Sequence, residues 1–151
     1  MDELTQEILA RIAETVLERA AFVFAEPRDE KWTEDGDVWR AEIELSGAIC
    51  GRLCLASTPA FAAVLASNLL GIDSNDPAAA RSAEDALREL SNMICGTVVD
   101  HCQAKGLTCS MGTPSLRRMD LAEHQDSCRG VGQIVRLIAE NECVDVVLLP
   151  Q

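Results

Sequence analysis

The chain has 151 residues, 48% of them hydrophobic, and sets 13 Lys and Arg against 25 Asp and Glu for a formal net charge of −12. That length and apolar content imply one globular domain over residues 1–151, large enough to bury a core without disulfides or structural metals. The charge argues against a nucleic-acid binder, because phosphate backbones demand a surplus of cations and the best basic cluster is Arg117-Arg118.

The Met-Asp-Glu start lacks the basic, then apolar, pattern of an export signal, and no apolar run approaches the roughly 18 residues of a membrane span. The expectation is a cytoplasmic protein. Seven cysteines, at 50, 54, 95, 102, 109, 128 and 143, include no Cys-x-x-Cys pair and fit reduced thiols in a core.

Along the chain, Leu4, Ile8, Ile12 and Phe22 recur at helical steps and predict a helix over 2–25, ended by Pro27. Residues 28–37 are charged and carry an Asp35-Gly36 turn signal, so they read as a loop. From Val38 to Ser46 the pattern alternates: Val38, Arg40, Glu42 and Glu44 face one way, Trp39, Ala41, Ile43 and Leu45 the other, as in a half-buried strand. Gly47 permits a turn, and Ile49 to Leu55 completes a β-hairpin. Thr58 and Pro59 start a helix that Gly71 closes. Residues 72–80 read as a polar connector, and Ser82, with Asp85 three residues on, opens a long helix that runs to Ala104. Leu107–Thr113 reads as a strand, Asp120–Gly130 as a polar loop, and Val131–Ala139 with Cys143–Leu149 as a final hairpin. Helix, two strands, two helices and three strands make an α+β domain, long helices packed on an antiparallel sheet.

The long helix carries the most informative segment. At roughly 100° per residue, Asp85, Glu89, Asn92 and Gly96 fall within an arc of about 60°, while Leu87, Leu90, Ile94 and Val98 occupy about 80° on the opposite side. One face packs and the other displays two carboxylates and an amide. An ordinary solvated helix face has the same look. Gly96, which costs about 1 kcal/mol in mid-helix, is accounted for either by close approach of another backbone or by packing on the sheet.

The spacing Asp85-x3-Glu89-x2-Asn92-x3-Gly96 resembles the signature helix of the CheX/CheC/FliY family of chemotaxis phosphatases, with Pro114 near the place of the family's sheet proline. The hairpin 41–55 with Gly47 and Gly51, followed by a helix ending Leu69-Leu70-Gly71, is similar to the family's strand–Gly–strand–helix segment. The first helix holds no second Glu-x-x-Asn, since Glu7 is followed by Ala10 and Glu14 by Leu17, which favours the CheX branch over CheC.

The resemblance implies a CheX/CheC-like fold and hydrolysis of the aspartyl phosphate on a CheY-like response regulator. Asn92 would orient the attacking water, Glu89 would bond the receiver's lysine, and Asp85 and Gly96 would meet the partner. It also implies a homodimer. An acyl phosphate is already activated, and the receiver brings Mg²⁺ and the lysine, so no cofactor or metal of the chain's own is needed. The alternative is a non-catalytic adaptor that binds the response regulator, although such a protein would be expected to have lost Glu89 or Asn92. A purely structural domain is a third reading. A zinc site from Cys50, Cys54, His101 and Cys102, or a nucleophilic Cys paired with His101 or His124, lacks any local signature, and the two histidines read as surface or helix-end residues.

Overall fold

The computed structural model describes residues 4–33, 36–131 and 133–150. Thr5 opens the first helix, α1 (Gln6–Ala21), its hydroxyl accepting from the Ile8 N–H at 3.2 Å. Leu9, Ile12, Ala13 and Leu17 form its buried side. The helix stops at Ala21 rather than at 25, because Phe22 takes the left-handed conformation, φ 57°, and turns the chain away. Ala25–Pro27 then form a short strand, β1, too brief to show an alternation in sequence. The first residues of the expected helix and Asp35 of the expected turn lie outside the described residues.

The predicted hairpin is present as β2 (Asp37–Gly47) and β3 (Gly51–Ser57), in register from Leu45 opposite Gly51 to Trp39 opposite Ser57. Both glycines are required. Each has positive φ, and a Cβ would strike a backbone carbonyl, that of Thr108 from Gly47 and that of Leu149 from Gly51. The alternation along β2 is as expected, but of the charged residues on its polar side only Glu44 is exposed: Arg40 and Glu42 are buried.

Helix α2 (Pro59–Leu70) begins on Thr58 and ends on left-handed Gly71, as expected. Helix α3 (Pro77–Ala104) starts five residues before Ser82, because Asp76 caps it, accepting from the Ala78 N–H at 2.9 Å, and Pro77 fits its first turn. Part of the expected connector is therefore helix. The strand expected at 107–113 is shorter, β4 (Cys109–Met111), and a further strand, β5 (Ser115–Asp120), follows it. Both pair with β2. Leu45 faces Met111 and Glu42 faces Ser115, so the β4–β5 side holds one residue more than β2, a bulge at Gly112-Thr113-Pro114 that hides the strand's continuation from the sequence. The expected polar loop at 120–130 contains a helix, α4 (Leu121–Ser127), capped by Asp120 and too short to establish a period. The last hairpin, β6 (Gln133–Ala139) and β7 (Glu142–Leu149), turns through Glu140 and Asn141, both at positive φ as a two-residue type I′ turn requires.

These strands form one antiparallel sheet in the order β1-β6-β7-β3-β2-β4, with β5 beside β4 on β2. On one face, Ile43, Leu45, Leu55, Val135, Leu137 and Val146 meet Leu9, Leu17, Phe61, Leu65, Leu87 and Ile94 of α1, α2 and α3 in the main core. On the other face, Trp32, Val38, Ala56, Met119 and Leu121 pack together, and Cys54, Ile134 and Val147 form a smaller cluster. Helices α1, α2 and α3 thus cover one face of the sheet, and Trp32 and Leu121 of α4 pack on the other.

Candidate functional site

The stripe Leu87, Leu90, Ile94 and Val98 is buried and fastens α3 to the sheet. That orientation turns Asp85, Glu89 and Asn92 outward, all three exposed, with Gly96 half-buried at the end of the row. The helix therefore brings the expected residues into one ridge. Glu89 and Asn92, three residues apart, stand as neighbours on the helix surface, roughly 5–6 Å between their Cβ atoms. Among the described residues neither side chain has a hydrogen-bond or ion-pair partner, so the amide's carbonyl and NH₂ and the carboxylate's oxygens all face water.

Neither suggested reason for Gly96 holds within the chain, because a Cβ at that position meets no described atom within 4 Å. Beside the ridge, Arg88 bonds Asp85 at 2.8 Å and lies 4.0 Å from Glu84. Glu84 pairs with Arg118 of β5, whose guanidinium lies over the Trp39 ring at 4.9 Å. This chain of charges ties α3 to the sheet edge. Exposed pairs of this kind contribute little stability, but they keep a cation, Arg88, next to two carboxylates.

The competing chemistries lose support. Burial pushes the Cys54 and Cys95 thiols up to about 12 and also raises Cys128, the reverse of an activated nucleophile. None of the seven cysteines is in a disulfide, and four of them are buried. Among the described residues no group of three or more His, Cys, Asp or Glu is arranged to hold a metal ion. Cys102 belongs to the main core and Cys54 to the cluster on the opposite face of the sheet. His101 sits at the end of α3 and His124 in the last turn of α4, helix-end positions as expected, although His124 is fully buried. Its burial follows from partners far away in sequence. Nε2 lies 2.9 Å from Asp145 Oδ2, and Asp145 Oδ1 accepts from Arg28 at 2.7 Å. Arg40, 3.3 Å from His124 Nδ1, also bonds Glu42 and Ser127. No local signal in the sequence marks this network.

An exposed acid–amide pair can position water and hold a partner. The long helices packed on one antiparallel sheet match the fold of solved CheX, CheC-like and FliY structures. The chain belongs to the chemotaxis phosphatase CheX family, whose sequence profile matches residues 40–135, more than half its length. A search of curated proteins found no significant match. Among solved structures, CheX of Borrelia burgdorferi, in a complex with CheY, BeF₃ and Mg²⁺, superposes with a TM-score of 0.73 at 18% identity, covering 99% of this chain and 100% of that one. CheX of Desulfovibrio desulfuricans gives 0.64 at 19% identity over 93% and 95% of the two chains. FliY of Thermotoga maritima gives 0.61 at 14% over 95% and 89%. No helix among the described residues is long and apolar enough to cross a membrane.

Proposed function

We propose that residues 1–151 act as one phosphatase domain that hydrolyses the aspartyl phosphate of a CheY-like response regulator. Asn92 orients the attacking water through its carboxamide, and Glu89 makes a charge-assisted bond to the receiver's lysine. Membership of the CheX family and the described Borrelia burgdorferi complex with CheY and Mg²⁺ support the reaction and the partner. The observation that carries the residue assignment is the ridge itself: Glu89 and Asn92 share one outward face of α3, and no side chain of the described residues occupies them.

The division of labour follows from chemistry. The receiver supplies the metal and the activated phosphoryl group, so the phosphatase adds only water positioning and orientation, for which an amide and a carboxylate suffice. Asp85 and Gly96 flank the pair as partner contacts, and a homodimer belongs to the same reading, checked by light scattering.

The test is loss of label from phosphorylated receivers of the same organism. Wild type is expected to accelerate it, and Asn92→Ala to lower the added rate roughly 100-fold while receiver binding persists. A wild-type protein that binds a receiver without accelerating loss of phosphate would instead be an adaptor. One that does neither with any receiver refutes the proposal.

A further inference from the structure

On the sheet face away from α3 there is a cavity of about 400 Å³, large enough for a small organic molecule. Its lining brings together Arg28 and Lys31 from the loop after β1, Arg129 from the segment after α4, and Arg136 from β6, against one carboxylate, Asp145 of β7. In a chain of net charge −12 this is a local reversal of sign. Trp32, Val131 and Ile134 supply apolar wall.

The floor is built before any ligand arrives. Arg28, His124 and Asp145 are each at least nine-tenths buried. Asp145 contributes little repulsion, since Arg28 occupies one of its oxygens and His124 the other. Arg40 can only donate, so the His124 Nδ1 that faces it accepts, and the His124 proton lies on Nε2, toward Asp145. Arg28 donates from Nε to Glu30 O at 3.0 Å, from Nη1 to Leu137 O at 2.6 Å and from Nη2 to Asp145, and a guanidinium has two further N–H groups beyond those three. Arg129 is held at the rim by Asp126 at 3.1 Å. The side chains of Lys31 and Arg136 have no hydrogen-bond or ion-pair partner among the described residues, although the Arg136 carbonyl accepts from the Arg28 N–H at 2.9 Å.

We propose that this cavity binds an organic phosphate carrying at least two negative charges. Donors approach from three different segments, and a tetrahedral phosphoryl group, with oxygens pointing several ways, meets such an array where a planar carboxylate would satisfy one guanidinium. The apolar wall takes the organic portion. The site is separate from the Glu89–Asn92 ridge and does not depend on the phosphatase reading.

Inorganic pyrophosphate and ADP serve as probes, titrated by calorimetry and by the fluorescence of Trp32, with circular dichroism to verify folding. Both are expected to bind, ADP more tightly because its nucleoside reaches the apolar wall. The double variant Lys31→Gln/Arg136→Gln, at two exposed positions, is expected to weaken both by at least about tenfold without a change in fold. Arg117→Gln, a basic residue outside the cavity, is expected to leave them unchanged. Absence of binding by either probe at about 1 mM, equal affinity of wild type and double variant, or pyrophosphate binding with none by ADP would each overturn the proposal.

Discussion

His124 and Asp145, 21 residues apart in sequence, meet at 2.9 Å between Nε2 and Oδ2 in a buried site on the far side of the sheet, and the same carboxylate neutralises Arg28 at 2.7 Å. Asp145→Asn would leave a buried guanidinium without its counter-charge. The expected loss is about 3–5 kcal/mol, read as a lower urea midpoint at unchanged slope.

The ridge behaves in the opposite way. Glu89 and Asn92 are exposed and unbonded among the described residues, so Glu89→Gln and Asn92→Ala are expected to leave stability within about 0.5 kcal/mol of wild type. The same urea experiment checks it, and a large loss would reassign the pair to a structural role.

Gly96→Ala separates folding from docking. The added methyl meets nothing described within 4 Å, and the substitution relieves the helix of glycine's backbone freedom, so the free protein gains up to about 1 kcal/mol. If the receiver's backbone passes over Gly96, the same methyl weakens receiver affinity, as surface plasmon resonance would detect. A stabilised variant with unchanged affinity would remove Gly96 from the contact surface.

Thiol chemistry gives a pH signature. The native state holds the Cys54 and Cys95 protons up to about 12, while the unfolded chain releases them near the ordinary value of 9.0. Folding therefore retains protons that unfolding gives up. The associated stability is complete below about pH 9 and falls as pH rises toward 12. Thermal midpoints should decline over that interval, less steeply in Cys54→Ala/Cys95→Ala. At pH 8 a disulfide reagent should find Cys50, which is exposed, well before Cys54 or Cys95.

The stripe from Leu87 to Val98 was legible in the sequence because a long helix repeats its period often enough to be counted, and the outward position of Asp85, Glu89 and Asn92 followed from it. The hairpin was legible from its glycines. Arg40 and Glu42 misled because a charged alternate position usually means water, whereas here the two bond each other at 2.7 Å beneath a second layer. β1 and α4 are shorter than the window over which a period can be read. The basic cavity was invisible because Arg28 and Arg136 are far apart along the chain and meet only through the pairing of β1 with β6. Conversely, Arg117 and Arg118, adjacent in sequence, are parted by the strand's pleat: Arg117 reaches Glu42 and Glu123 on one face, and Arg118 reaches Glu84 and Trp39 on the other.

Helix α3 extends as far before Glu89, from Pro77, as it does beyond Asn92, to Ala104. The pair is therefore out of reach of fraying ends and of the terminal partial charges, which act within the first and last turns. Amide exchange at Asn92 should proceed only by unfolding of the whole protein. Local melting cannot switch such a site off. On the phosphatase reading proposed above, control over the pair comes from outside the helix, through the abundance of the phosphorylated receiver or a competitor that covers the ridge.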